Sequence, residues 1–220
     1  MAKTIFVTAT GTDTGKTYIS ALIVKIMNEH GLNCGYFKPV MSGADGSGMN
    51  DCEYVINTSN LGIIPEECYS YSFKEPLSPH LASERAGIKI EQENILKDYN
   101  ILSEKYDYLL VEGAGGIVCP IIKSGYFMWN LIKDLGTDTI LIADAGLGTI
   151  NSVVTSCDYL KNKNINLRGI ILNNYEPDNF MHNDNIRMIE TITNNKVVAT
   201  VERNADQINA DFETVKSLFL

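Results

Sequence analysis

Hydrophobic positions along this chain change period many times, and each change marks an element. Residues 5–9, Ile-Phe-Val-Thr-Ala, form a short apolar run rich in β-branched residues, which predicts a buried strand. From residue 19 the apolar positions fall at Ile19, Leu22, Ile23, Ile26 and Met27, the i, i+3, i+4, i+7, i+8 spacing of a helix. Asn33 to Val40 reads as a second strand, stopped where Pro39 removes a donor, which puts Lys38 at the carboxyl edge of a sheet. Residues 41–50 hold three glycines and read as a loop, and Asp51 opens a weak helical stretch, where an N-cap carboxylate is one reading. Pro65, Pro76 and Pro79 break up residues 60–90, and Pro79 suits the first position of a helix begun by Ser78-Pro79-His80. Glu91 to Lys105 is helical in pattern, and Tyr106 to Val111 reads as a buried parallel strand.

The alternation continues. Thr137 to Ala143 predicts a strand, followed by a helix with Ile150, Val153, Val154, Cys157 and Leu160 on one face. Leu167 to Leu172 predicts a strand ending at Asn173-Asn174; helical 181–194, strand 196–201 and helical 206–219 close the chain. Strands alternating with helices predict an α/β fold: a three-layer parallel sheet with helices on both faces, joined by right-handed crossovers. No linker or low-complexity tract interrupts it, so residues 1–220 read as one domain.

Between the first strand and the first helix lies Thr10-Gly11-Thr12-Asp13-Thr14-Gly15-Lys16-Thr17. Strand, small-residue loop, Gly-Lys-Thr and helix is the arrangement of a phosphate-binding P-loop, here a variant with Thr10 where the strict spacing has glycine. Small residues let successive N–H groups converge on phosphate oxygens, and the helix N-terminus adds unpaired donors and partial positive charge. Lys16 is placed to reach terminal phosphates and the Thr17 hydroxyl to take a position on Mg²⁺. A second phosphate-site element is Glu112-Gly113-Ala114-Gly115-Gly116, a carboxylate at a strand tip followed by glycines that let backbone approach a ligand.

Composition narrows the classes. The net charge of −9 with no basic cluster argues against a nucleic-acid partner. No apolar run approaches the roughly 18 residues of a membrane span, and Met1-Ala2-Lys3 runs straight into the first strand without a signal peptide. Five scattered cysteines (34, 52, 68, 119, 157), with no C-x-x-C pair, read as reduced thiols of a cytoplasmic protein.

Lys16-Thr17, Lys38-Pro39-Val40, Ser42-Gly43, Ser78-Pro79-His80, Val111 to Gly116 and Leu147-Gly148-Thr149-Ile150-Asn151, in this order, resemble dethiobiotin synthetase. The resemblance runs from residue 4 to about 175. It implies a P-loop NTPase-like ligase of biotin biosynthesis that uses MgATP to join CO₂ to 7,8-diaminononanoate. A carbamate, then a carbamic–phosphoric anhydride, precede closure of a cyclic urea. By the same resemblance, Lys38 is catalytic with Lys16 and Thr12. Asp13, Thr14, Gly15, Lys16, Thr17, Tyr18, Asp51, Glu112, Gly113, Ala114, Gly115 and Asn173 bind ATP, with Asn173 at the adenine. Thr17, Asp51 and Glu112 hold Mg²⁺. Ser42, Lys38 and Gly116 touch the diamine, and Thr149, Ile150 and Asn151 receive its carboxylate across a homodimer interface. The sequence departs from the family's pattern in three places. Ala9 stands for the loop's first glycine, residues 199–204 (Ala-Thr-Val-Glu-Arg-Asn) replace a Gly-x-Ile-Pro-like base-binding run, and Gly146 replaces a basic residue.

The competing class is a P-loop switch ATPase of the partitioning type. Such proteins carry a second lysine early in the loop, and none lies between Lys3 and Lys16. A cobyrinate-type amidoligase shares the Val-Glu-Gly element but needs a glutaminase domain for which this chain has no room.

Overall fold

A computed structural model describes residues 1–220. The chain runs β1 (Lys3–Ala9), α1 (Lys16–Glu29), β2 (Cys34–Phe37), β3 (Val40–Ser42), α2 (Asp51–Ser59), a 3₁₀ turn (Pro65–Cys68), β4 (Tyr71–Phe73), α3 (Pro79–Ala86), α4 (Gln92–Lys105) and β5 (Tyr108–Glu112). It continues with β6 (Pro120–Ile122), β7 (Tyr126–Phe127), α5 (Met128–Leu135), β8 (Asp138–Asp144), α6 (Thr149–Asn162), β9 (Leu167–Tyr175), α7 (Phe180–Thr193), β10 (Val197–Glu202) and α8 (Phe212–Ser217). Six strands form one parallel sheet in the order β10-β9-β8-β1-β5-β2. The winding starts at β1, builds toward β2 and β5, then crosses to β8 on the other side of β1. The loop after β1 therefore opens at the point where the strand order reverses, where open sheets of this kind leave a crevice at their carboxyl ends.

Pleating sorts the side chains of β1. Ile5, Val7 and Ala9 enter a core with Ile19, Leu22, Ile23 and Met27 of α1 and Val215 of α8. Phe6 points the other way, among Leu109 and Val111 of β5, Ile95 and Leu102 of α4 and Leu131 and Ile132 of α5. Leu141 and Ala143 of β8 pack with Val153 of α6 and Ile189 of α7. Each fully buried Ile, Leu or Phe contributes about 1.5–3 kcal/mol. Helices thus cover both faces, as the alternating pattern predicts.

Three boundaries differ from the sequence reading. The expected strand Asn33–Val40 is two strands: β2 stays in the main sheet, whereas β3 leaves it and pairs with β4. Pro39 has no N–H for the ladder, its carbonyl accepts from Tyr71 N at 3.2 Å, and Lys38 N donates to Cys68 O at 2.7 Å. The expected helix over 206–219 shrinks to α8. Asp211 accepts from Thr214 N at 2.7 Å and starts the helix there, while the backbone of Asn209 is held in an antiparallel bridge to Thr200 of β10 (N to O, 2.9 Å), which keeps that stretch extended. The strand expected from Tyr106 starts at Tyr108, because Tyr106 still closes α4 through Leu102 O. The β6–β7 hairpin and α5 were not anticipated, although Met128, Leu131, Ile132 and Leu135 keep helical spacing.

Candidate functional site

The phosphate loop is shaped by contacts that only certain residues permit. Gly15, at φ 92°, precedes α1 in the left-handed region, and a Cβ there would overlap the Asn173 side-chain amide. Gly11 needs no such freedom, since nothing lies within 4 Å of the Cβ it lacks. The shifted first glycine is thus no steric demand of this loop. Asn173, at the end of β9, donates through Nδ2 to Thr14 O at 3.0 Å and buries its Oδ1 without a partner. Lys16 lies back over the loop, Nζ donating to Gly11 O at 3.0 Å.

The glycine run after β5 presses on the same loop. A Cβ on Gly116 would meet Ala9 O at 3.1 Å, and one on Gly113 would meet Phe6 Cε1 at 2.9 Å. Glu112, fully buried, closes the ladder opposite Val7 and carries the electrostatics of the site. Its Oε1 accepts from Thr17 Oγ1 at 2.8 Å and from Lys38 Nζ at 2.6 Å; its Oε2 accepts from Tyr36 OH at 2.9 Å. Lys38 Nζ also pairs with Asp51 Oδ2 at 2.7 Å. One ammonium thus bridges two carboxylates. Asp51 is not the N-cap of α2. Asn50 is, in a reciprocal box with Glu53 (Glu53 N to Asn50 Oδ1 3.0 Å, Asn50 N to Glu53 Oε2 2.8 Å), which leaves the Asp51 carboxylate for Lys38.

Burial pulls the pKa of Lys38 down, but the charges and hydrogen bonds of Glu112 and Asp51 more than offset it, so it lies above the ordinary lysine value. Lys16 moves the other way: burial and then the Lys38 ammonium lower it, with Glu112 and Asp51 only partly compensating. Burial works against ionised Asp51, yet Lys38 and the Thr17 hydrogen bond hold its carboxyl below the usual range. The Tyr36 phenol is raised by burial and by the neighbouring Glu112 charge.

A cleft of about 750 Å³ collects Thr12, Asp13, Gly15, Lys16, Thr17, Tyr18, Lys38, Ser42, Asp51, Ala114 and Gly115 of the anticipated set. Thr14, Glu112, Gly113, Gly116 and Asn173 stand outside its lining: Thr14 binds Asn173, Gly113 and Gly116 press on β1, and Glu112 bonds Thr17 and Lys38. Thr149, Ile150 and Asn151 are not brought into it; they begin α6, past β8. Thr149 is buried with its hydroxyl unpartnered, and Asn151 is exposed. The cleft also takes in Met49, Tyr54, Cys119 and Pro76 to Pro79, none of them singled out for it beforehand. Tyr36 was likewise missed. A phenol in a strand buried along its whole length was the available signal, since its hydroxyl must find a partner.

No group of three or more acidic, histidine or cysteine side chains here could hold a metal alone. The Thr17 hydroxyl and the Asp51 and Glu112 carboxylates, linked through Thr17 and Lys38, nevertheless form an all-oxygen donor set. That set fits Mg²⁺ bound jointly with nucleotide phosphates, the usual way this hard ion is held.

The family described as an AAA domain matches residues 3–211. A protein of Clostridium botulinum (strain Eklund 17B / Type B), named ATP-dependent dethiobiotin synthetase BioD, is 42% identical over 225 residues, covering 100% of this chain and 99% of its own. A Brachyspira hyodysenteriae protein of the same name is 42% identical over 222 residues, covering 100% of both. Among solved structures, a MinC:MinD cell division complex of Aquifex aeolicus aligns with TM-score 0.59 at 12% identity, over 99% of this chain and 86% of the other. A ParA family ATPase of Chlorobium tepidum TLS aligns with TM-score 0.57 at 12% identity, over 99% and 89%. These two likenesses establish the P-loop α/β fold.

Proposed function

Because this chain belongs to the ATP-dependent dethiobiotin synthetase family, an ATP-using ligase family, we propose that it makes dethiobiotin, ADP and phosphate from 7,8-diaminononanoate, CO₂ and ATP. The observation that carries this reading is the Lys38 ammonium held between Asp51 and Glu112 beside the Lys16-Thr17 turn.

The chemistry asks for little from side-chain nucleophiles. One substrate amine adds to the carbon of CO₂ and loses a proton, giving a carbamate. A carbamate oxygen attacks the γ-phosphorus and ADP departs. The second amine attacks the carbonyl carbon, its C–N bond replaces the C–O bond to phosphate, and a further proton leaves as the ring closes. At each step negative charge gathers on oxygens that a fixed cation can stabilise.

Lys16, drawn from Gly11 O, binds the β- and γ-phosphates, and residues 13–18 cradle the triphosphate through backbone donors. Lys38 neutralises the carbamate and the γ-phosphoryl oxygens. An ammonium about 4 Å from such a charge is worth roughly 4 kcal/mol at an effective dielectric constant near 20, enough to matter at a buried site. Thr17, Asp51 and Glu112 hold Mg²⁺, which when bound neutralises phosphate charge. Asn173 offers its unpartnered Oδ1 to the base. Ser42, whose hydroxyl is also buried without a partner, binds the diamine together with Lys38 and Gly116, and Thr12 stands beside the reacting groups. The enzyme acts in the cytoplasm as a homodimer, so that Thr149, Ile150 and Asn151 of one copy receive the substrate carboxylate bound to the other, at the N-terminus of α6.

The test is direct. Purified protein is mixed with MgATP, bicarbonate and 7,8-diaminononanoate, and the products are weighed by mass spectrometry. Dethiobiotin formed in step with ADP is expected; ADP without dethiobiotin would overturn the assignment.

A further inference from the structure

Tyr36 lies under the site and belongs to no role assigned so far. It is fully buried, among the largest such side chains of the molecule. Its ring packs in the core on the α1 side of the sheet, and β2 carries it alongside Leu110 of β5, two residues before Glu112. The only partner recorded for its hydroxyl is Glu112 Oε2, at 2.9 Å.

The two oxygens of Glu112 are therefore unequal. Oε1 takes both groups that belong to the phosphate site, the Thr17 hydroxyl and the Lys38 ammonium, while Oε2 takes the phenol alone. The terminal torsion of a glutamate is broad and roughly two-fold, so the side chain by itself does not choose which oxygen faces the site. We propose that Tyr36 is a positioning residue: by binding Oε2 it fixes the Glu112 carboxylate so that Oε1 stays aimed at Thr17 and the divalent ion of the bound nucleotide. This rests on the reading of Glu112 as a ligand of that ion. A buried group that orients a metal ligand typically costs about 10–100-fold in metal affinity or activity when removed, which sets the size of the effect.

Tyr36→Phe deletes the hydroxyl and keeps the ring. ADP affinity is measured by calorimetry with and without Mg²⁺, in wild type and variant, in the absence of diamine. The gain in affinity that Mg²⁺ brings is expected to fall about tenfold in the variant, with metal-free ADP affinity within about twofold of wild type. A phenol that merely satisfies the core would leave the Mg²⁺ gain unchanged, and that result would overturn the proposal, as would a wild type with no Mg²⁺ gain to lose. Should the variant not fold, a wild-type crystal structure with MgADP decides. The Tyr36 hydroxyl is expected to remain within hydrogen-bond distance of Oε2, and a carboxylate turned away from it would overturn the proposal. No diamine enters these experiments, so their outcome stands apart from whether the protein makes dethiobiotin.

Discussion

Lys16 and Lys38 bear the same charge in opposite surroundings. Lys38 is buried with two carboxylates, whereas Lys16 is buried with a backbone carbonyl for company. Because its folded pKa is depressed, Lys16 in its charged form costs stability near neutrality, and that cost is relieved as pH rises from the folded value to the ordinary 10.5. Asp51 has the other sign: its pairing stabilises fully above the ordinary carboxylate value of 3.8 and is lost as pH falls through its lower folded value. The consequence for binding is that Lys16 loses its proton before Lys38 on the alkaline side. ATP affinity, followed by calorimetry from neutral to alkaline pH, is expected to decline starting below the ordinary lysine value of 10.5. An affinity that stays flat up to that value would contradict the assignment of Lys16 to the phosphates. At this scale the sequence was legible where chemistry is written in residue type and order, as in Gly15-Lys16-Thr17. It was silent about Tyr36, whose importance lies in which oxygen of Glu112 it reaches across the sheet.

Helix α2 is an element with a task, to hold Asp51 at its first turn. Asn50 and Glu53 satisfy the helix's first donors, so that Asp51 is spent on Lys38. Asn50→Ala removes the cap at a cost of about 1 kcal/mol, which for a protein of this size lowers Tm by about 2–4 °C in a calorimetric scan. An unchanged Tm would mean that the capping box contributes nothing. The long strands and helices were visible as apolar runs and helical spacing because each buries a full face. The three-residue strands β3 and β4 were not, since their pairing depends on Pro39 steering the chain out of the main sheet. Helix α8 was overestimated because Asn209 is bridged to Thr200 of β10 and Asp211 caps the helix only from 212 onward, a tertiary constraint that apolar spacing does not register.

The whole molecule combines a widely used fold with a particular rim. Likeness in fold alone points to MinD and ParA proteins at 12% identity; relatives 42% identical over the full chain separate this ligase from them. Beyond the rim of the cleft, Leu147 is 93% exposed just before α6 and Phe180 is 87% exposed at the start of α7. If this apolar end seats a second copy, then burying a charge there is costly. Leu147→Asp is expected to shift sedimentation from dimer toward monomer and to raise KM for the diamine about tenfold, a loss near 1.4 kcal/mol, with ATP affinity little changed. A wild type that sediments as a monomer at assay concentration would contradict the dimeric reading. What joins residue, element and molecule is the Lys38 ammonium, set by β2, balanced by α2 and β5, and facing the cleft. The most direct measurement compares kcat and MgATP affinity in folded Lys38→Ala. Loss of a fixed cation at the developing charge predicts a fall in kcat of about 10²–10³-fold with nucleotide affinity nearly preserved. A variant that keeps its kcat and shows only a raised KM for ATP would contradict the account.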